Sequence, residues 1–153
     1  MEGYRRPPIE RGEYRDSAGD VIPYGDRWRD TPSEDLPYSV TAHPERFAPV
    51  QDVGRALEAA LPPTHREGGT GIPIEFEYTD LPGVRIWVGG RDFPFPVCGC
   101  DACDEDVEGL AEQMEQLVDA VVAGRWTGDA ESFGYWGDWG RRGGWTNPRG
   151  RTP

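Results

Sequence analysis

Three cysteines, Cys98, Cys100 and Cys103, stand in the ten-residue stretch VCGCDACDED with four acids, Asp101, Asp104, Glu105 and Asp106. A C-x-C-x-x-C spacing admits three uses: holding a metal, carrying redox or nucleophilic thiol chemistry, or packing as inert thiols in a turn. Structural zinc sites commonly take two thiolates from a tight knuckle and one from the first turn of a helix, which aims several sulfurs at one tetrahedral centre. The fourth position then falls to His43, His65, a carboxylate such as Asp101, or water. His43 leads, because it precedes a helical pattern whereas His65 sits beside the Gly-rich loop REGGTG.

Redox use needs a thiolate, and a helix N-terminus beside Cys100 or Cys103 would favour one. The four neighbouring acids oppose it, since like charge disfavours ionising a thiol. A divalent cation reverses that logic by deprotonating thiols outright and tolerating acids around it. The reading is therefore a structural zinc bound by Cys98, Cys100, Cys103 and His43, with no catalytic residue assigned. The alternative is a thiol-dependent enzyme or redox sensor using the same cysteines.

Other signatures carry less. The stretch DEDVEGLAEQME, Asp104 to Glu115, nearly fits a calcium loop, but Val107, Leu110, Ala111 and Met114 continue an unbroken helical stripe where such a loop must be irregular. The GGTG at Gly68 is no phosphate loop, because no Gly-Lys-Ser/Thr follows and the chain has no lysine. Glu108, Glu112, Glu115 and Asp119 stack on one helical face with no alternating base. That acidic face suits a basic protein partner, or the chain's own Arg141, Arg142, Arg149 and Arg151.

The elements that must position the cysteines follow from periodicity. Val50, Val53, Leu57, Ala60 and Leu61 recur at helical spacing and predict a helix over about 49–61, ended by Pro62 and Pro63. Ile74, Phe76 and Tyr78 alternate with polar residues, as do Val84, Ile86 and Val88. These runs predict a β-hairpin over about 73–89, with Pro82 and Gly83 at the centre of a type II turn. FPFPV reads as an edge strand or extended segment, because its prolines withhold backbone donors. A second helix is predicted over about 104–123, with Gly124 at its C′ position. A last short strand is expected around Phe133 to Trp136.

The chain has 153 residues and a formal net charge of -12. Of its 27 Leu, Ile, Val and Phe residues, 22 lie between Val40 and Trp126, so the core belongs there. The expected organisation is a Pro/Gly-rich arm over 1–39, a single α+β domain over 40–137 and a Gly/Arg/Trp-rich mobile tail over 138–153. In that domain two helices pack on a small antiparallel sheet. The acidic balance argues against nucleic acid and against an anionic membrane surface, because phosphate binding needs cations. With no signal-like h-region and no long apolar run, the expected location is cytoplasmic. All sixteen bases are Arg and Asn147 is the sole Asn, a skew that points to GC-rich codons and a bacterial source.

Taken together, YGDRW, YSVTAHPERFAPV, YTDLPGV and FPFPVCGCDACDE resemble an uncharacterised domain-of-unknown-function family of small proteins from high-GC Gram-positive bacteria. The resemblance spans roughly Tyr24 to Trp126 and implies no activity, cofactor or catalytic residue. Leu81 stands where that family carries an aromatic residue, and the Trp-rich tail departs from it.

Overall fold

The structure, a computed structural model, describes residues 1–25 and 40–126. Its element order is a 3-10 turn over Pro44–Phe47, α1 over Ala48–Ala60, a second 3-10 turn over Pro63–His65, β1 over Ile74–Thr79, β2 over Gly83–Val88, β3 over Arg91–Phe95 and α2 over Val107–Val122. The three strands form one antiparallel sheet in the order β1-β2-β3. Two helices on this sheet make the α+β fold that the periodicity predicts. The strand expected around Phe133 to Trp136 and the tail lie outside the described residues.

Alternation places the core face of the sheet. Ile74 pairs with Val88, Phe76 with Ile86 and Tyr78 with Val84, while Phe93 and Phe95 of β3 pair with Ile86 and Val84. Onto this face α1 lays Val50, Val53 and Leu57, and α2 adds Leu110, Met114, Leu117, Val118 and Val121, all buried in one cluster. Gly54 permits the close approach, because a Cβ there would meet Val84 Cγ2 at 2.8 Å.

The helix ends are capped by side chains and glycine. The carbonyls of Glu58, Ala59 and Leu61 at the end of α1 accept from the Arg66 guanidinium. Asp106 is the N-cap of α2 and accepts from the Gly109 amide at 3.0 Å. At the other end Gly124 has φ 67. Its amide donates to Val121 and the Arg125 amide donates to Ala120, the paired bonds of a Schellman ending. Helix α2 thus starts three residues later than periodicity suggests, since Asp104 and Glu105 serve the preceding turn instead.

The hairpin turn differs from expectation. Gly83 belongs to β2, pairs with Thr79 and lacks the positive φ that a type II turn demands. Asp80, Leu81 and Pro82 make the connection instead. What requires glycine at 83 is the neighbouring strand: a Cβ would sit 2.8 Å from the Phe95 carbonyl oxygen and 3.0 Å from Pro96 Cδ. Gly83→Ala is accordingly expected to cost about 1–3 kcal/mol by overpacking, read as a lower urea midpoint with unchanged m-value. Wild-type stability in that variant would show that β2 and β3 can separate freely. The true left-handed turn is the Gly89-Gly90 pair between β2 and β3, with φ 55 and 84.

The arm docks. Met1, Tyr4 and Ile9 pack against the core cluster. Tyr4 and Arg6 both bond Glu115, and Arg11 reaches Glu108 at 2.7 Å and Asp106 at 3.2 Å. Asp119 is met by Arg125 at 2.5 Å. Cations from the arm and from the end of α2 therefore lie on three of the four acids of the helix face. Arg141, Arg142, Arg149 and Arg151 lie outside the described residues.

Candidate metal centre

Between β3 and α2 the chain makes an irregular turn built around buried carboxylates. Glu105, 4% exposed, accepts the Val97 amide at 2.8 Å and the Cys98 and Gly99 amides at 3.0 Å each. Three successive N–H groups thus point at one carboxylate, which folds the cysteine segment back on itself. Gly99, at φ 74, supplies the left-handed step this needs, and a Cβ there would press on Leu81 Cδ2 at 2.9 Å. The turn is closed from Cys100 to Asp104, whose amide donates to the Cys100 carbonyl at 3.4 Å and whose φ is 47.

Asp101 and Asp104 hold this turn to the rest of the molecule. Asp101 accepts from the Tyr24 hydroxyl at 2.9 Å and from the Ala42 amide at 3.3 Å, and its own amide donates to Val40 at 2.7 Å. Asp104 accepts the Gly25 amide at 2.9 Å. The acids that look in the sequence like a crowd of repelling charges are hydrogen-bond acceptors: Glu105 within the turn, Asp101 and Asp104 toward Tyr24, Gly25 and Ala42, and Asp106 at the start of α2.

The construction brings the three sulfurs together. Cys98 and Cys100 Sγ are 3.1 Å apart, and all three Sγ atoms lie within 4.8 Å of one another. Thiolates at ~2.3 Å from a tetrahedral zinc are separated by about 3.8 Å, so sulfurs gathered within 4.8 Å are close enough to reach one ion with small adjustments. Cys100 is buried, Cys103 half-buried and Cys98 exposed. Burial pushes the Cys98 and Cys103 thiols up; hydrogen bonds to the other two sulfurs reinforce this at Cys103, while at Cys98 the bond with the Cys100 thiol adds to it and the bond with Cys103 works against it.

The group that converges among the described residues is Cys98, Cys100 and Cys103, without His43. Both ring nitrogens of His43 are engaged: Nδ1 lies 3.0 Å from Glu45 Oε1 and Nε2 3.1 Å from the Arg15 carbonyl oxygen. The ring also sits against Tyr14 and Tyr24, at centroid distances of 5.1 and 6.2 Å. His43 is thus a clasp between the arm and the domain. His65 Nδ1 bonds the Ile72 carbonyl at 2.8 Å and braces its own loop.

Because both nitrogens of His43 face acceptors, the imidazolium is the form that satisfies the site. The hydrogen bond to Glu45 raises its pKa, against desolvation. A raised folded value means that the clasp contributes its full stability below the unfolded pKa of about 6.5 and loses it as pH climbs through the folded value. The urea midpoint of wild type should therefore exceed that of His43→Phe most at low pH, with the gap shrinking as pH rises. A gap independent of pH would contradict an imidazolium clasp.

Comparison with known sequences adds the family. A family profile matches residues 10–68 and 61–152, which together cover most of the 153-residue chain. The chain belongs to DUF6226, a family of unknown function. The DUF6226 match runs past the Tyr24–Trp126 span of the recognisable motifs in both directions, taking in much of the arm and nearly all of the tail. No curated protein and no solved structure matches the chain. Among the described residues, no helix is long and apolar enough to cross a membrane.

Several residues that build the site carry no sequence signature. Glu105 read as one more acid in a helix start. Tyr24 and Gly25 lie far away in sequence, in the Pro/Gly-rich arm, where the YGDRW segment carries the family resemblance and no sign of a contact with the cysteine turn. Arg46, 4% exposed, stacks between the Tyr24 and Phe47 rings at 4.1 Å from each centroid, and its Nη1 donates to the Glu105 carbonyl at 3.0 Å. A signal for Arg46 was available only in hindsight, in the aromatic that follows it.

Proposed function

We propose that Cys98, Cys100 and Cys103 hold one structural zinc ion in a non-enzymatic cytoplasmic bacterial protein. The observation that supports this is the convergence of three sulfurs in a turn whose backbone is held independently by Glu105. Zinc would supply a cross-link between the end of β3 and the start of α2, where the chain has no regular hydrogen-bond ladder. The fourth ligand is water or a carboxylate, since His43 is committed to Glu45 and Arg15. Cys98, exposed at the rim, gives that position access to solvent.

The interaction half of the reading is a basic protein partner at the face of Glu108, Glu112, Glu115 and Asp119. Glu112 is exposed there, and Arg6 and Arg11 of the arm are the groups such a partner would displace. Cobalt substitution tests the metal site directly. One equivalent of Co²⁺ should give thiolate-to-metal charge-transfer absorption and the intense d–d bands of tetrahedral geometry, both lost on adding zinc. Weak octahedral bands without charge transfer would show that the thiols do not ligate.

A further inference from the structure

A second feature, independent of the cysteines, lies on the other side of Glu105. A cavity of about 190 Å³ opens between the arm and the start of α2, with Ile9, Arg11, Tyr14, Tyr24, Arg46 and Asp106 among its walls. In it Arg46 is 4% exposed, yet its Nε and Nη2 have no hydrogen-bond partner among the described residues. Buried donors are almost always satisfied, and a buried guanidinium left with two open N–H groups calls for an acceptor.

The two open nitrogens form the side-on edge of the guanidinium, whose parallel N–H bonds match two oxygens of one carboxylate or phosphate. The third nitrogen is fixed on the Glu105 carbonyl and the planar faces are stacked on Tyr24 and Phe47. The guanidinium is therefore held in place before any ligand arrives, and because both nitrogens are shielded from solvent, an oxyanion in the cavity must displace the groups that cover this edge to reach it. Acids lie close by, but their oxygens serve other groups: Glu105 takes the three amides of 97–99, Asp101 takes Tyr24 and Ala42, and Asp104 takes Gly25. Asp106 is bonded to Gly109 and to Arg11. Arg11, half exposed at the mouth, adds a second cation, and the N-terminus of the sixteen-residue α2 adds its dipole.

We infer that this cavity binds a small oxyanion, a carboxylate or phosphate group, gripped by the Nε–Nη2 edge of Arg46 with Arg11 at the entrance. The test uses the full chain at constant ionic strength and follows by NMR the Arg46 Nε–H resonance in the wild type and the backbone amide resonances of the lining residues Gly25 and Val107 in every variant. Inorganic phosphate and acetate are titrated in parallel, with chloride as reference. A saturable shift with phosphate alone assigns a phosphate-bearing ligand; one with acetate alone, or with both, assigns a carboxylate-sized oxyanion. Arg46→Lys, which keeps the charge and loses the fork, should weaken binding about tenfold or more. Arg11→Ala, at an exposed position, should weaken it several-fold and serves if Arg46→Lys does not fold. A resonance that drifts alike in all three salts overturns the inference, as does wild-type affinity in Arg11→Ala and in every folded Arg46 variant.

Discussion

Glu105→Ala should lower the unfolding free energy by about 3–5 kcal/mol, the scale for removing a buried charged acceptor and orphaning its donors. The effect has two sources. Three amide N–H groups, of Val97, Cys98 and Gly99, lose their acceptor at once. Arg46, buried and donating to the backbone carbonyl of the same residue, also loses a nearby countercharge. Glu105→Gln, with the same shape and a single carbonyl oxygen, should cost roughly half as much. Urea denaturation of the two variants reads both values. A Glu105→Ala variant within about 0.5 kcal/mol of wild type would mean that the carboxylate does not organise the turn.

The second large effect concerns Cys100, the most buried of the three thiols at 5% exposure. Cys100→Ser replaces a soft thiolate by a hydroxyl that remains protonated near neutrality. Zinc affinity should fall by more than the roughly 10–100-fold that outer-shell changes cost. The consequence for stability follows from linkage. At free zinc near 100 times its dissociation constant, wild type gains about 2.7 kcal/mol, while Cys100→Ser gains almost none. Melting each protein with and without added zinc separates this from simple repacking. If the two proteins respond equally to zinc, Cys100 is not a ligand.

The sequence made the frame of the fold legible and the glue of the site illegible. Helix α1, the three strands and α2 were visible because each buries one periodic face: Val50, Val53 and Leu57 at helical spacing, Val84, Ile86 and Val88 at strand spacing. Gly124 was placed correctly at its C′ position because the Schellman ending needs a left-handed residue there. The Pro82-Gly83 pair misled, since a close interstrand approach and a type II turn both demand glycine.

In the site, C-x-C-x-x-C spacing sufficed to nominate Cys98, Cys100 and Cys103. It could not supply His43, whose placement depends on where the arm runs. Arg15 comes from that arm and takes the Nε2 of His43, while Glu45, two residues on, takes the Nδ1. The four acids beside the cysteines were read through their charge. Their function is set by which amides happen to face them, a property of tertiary geometry alone. The same holds for the acidic face of α2, whose partners Arg6 and Arg11 come from a segment that shows no periodicity at all.

The most direct test of the metal centre is the metal content of the protein purified without a histidine tag. Elemental mass spectrometry should find about one zinc per chain, none in Cys100→Ser, and release on chelation together with a fall in melting temperature. A metal-free wild-type protein that neither takes up added zinc nor melts higher in its presence would contradict the account and leave the three cysteines as packed thiols.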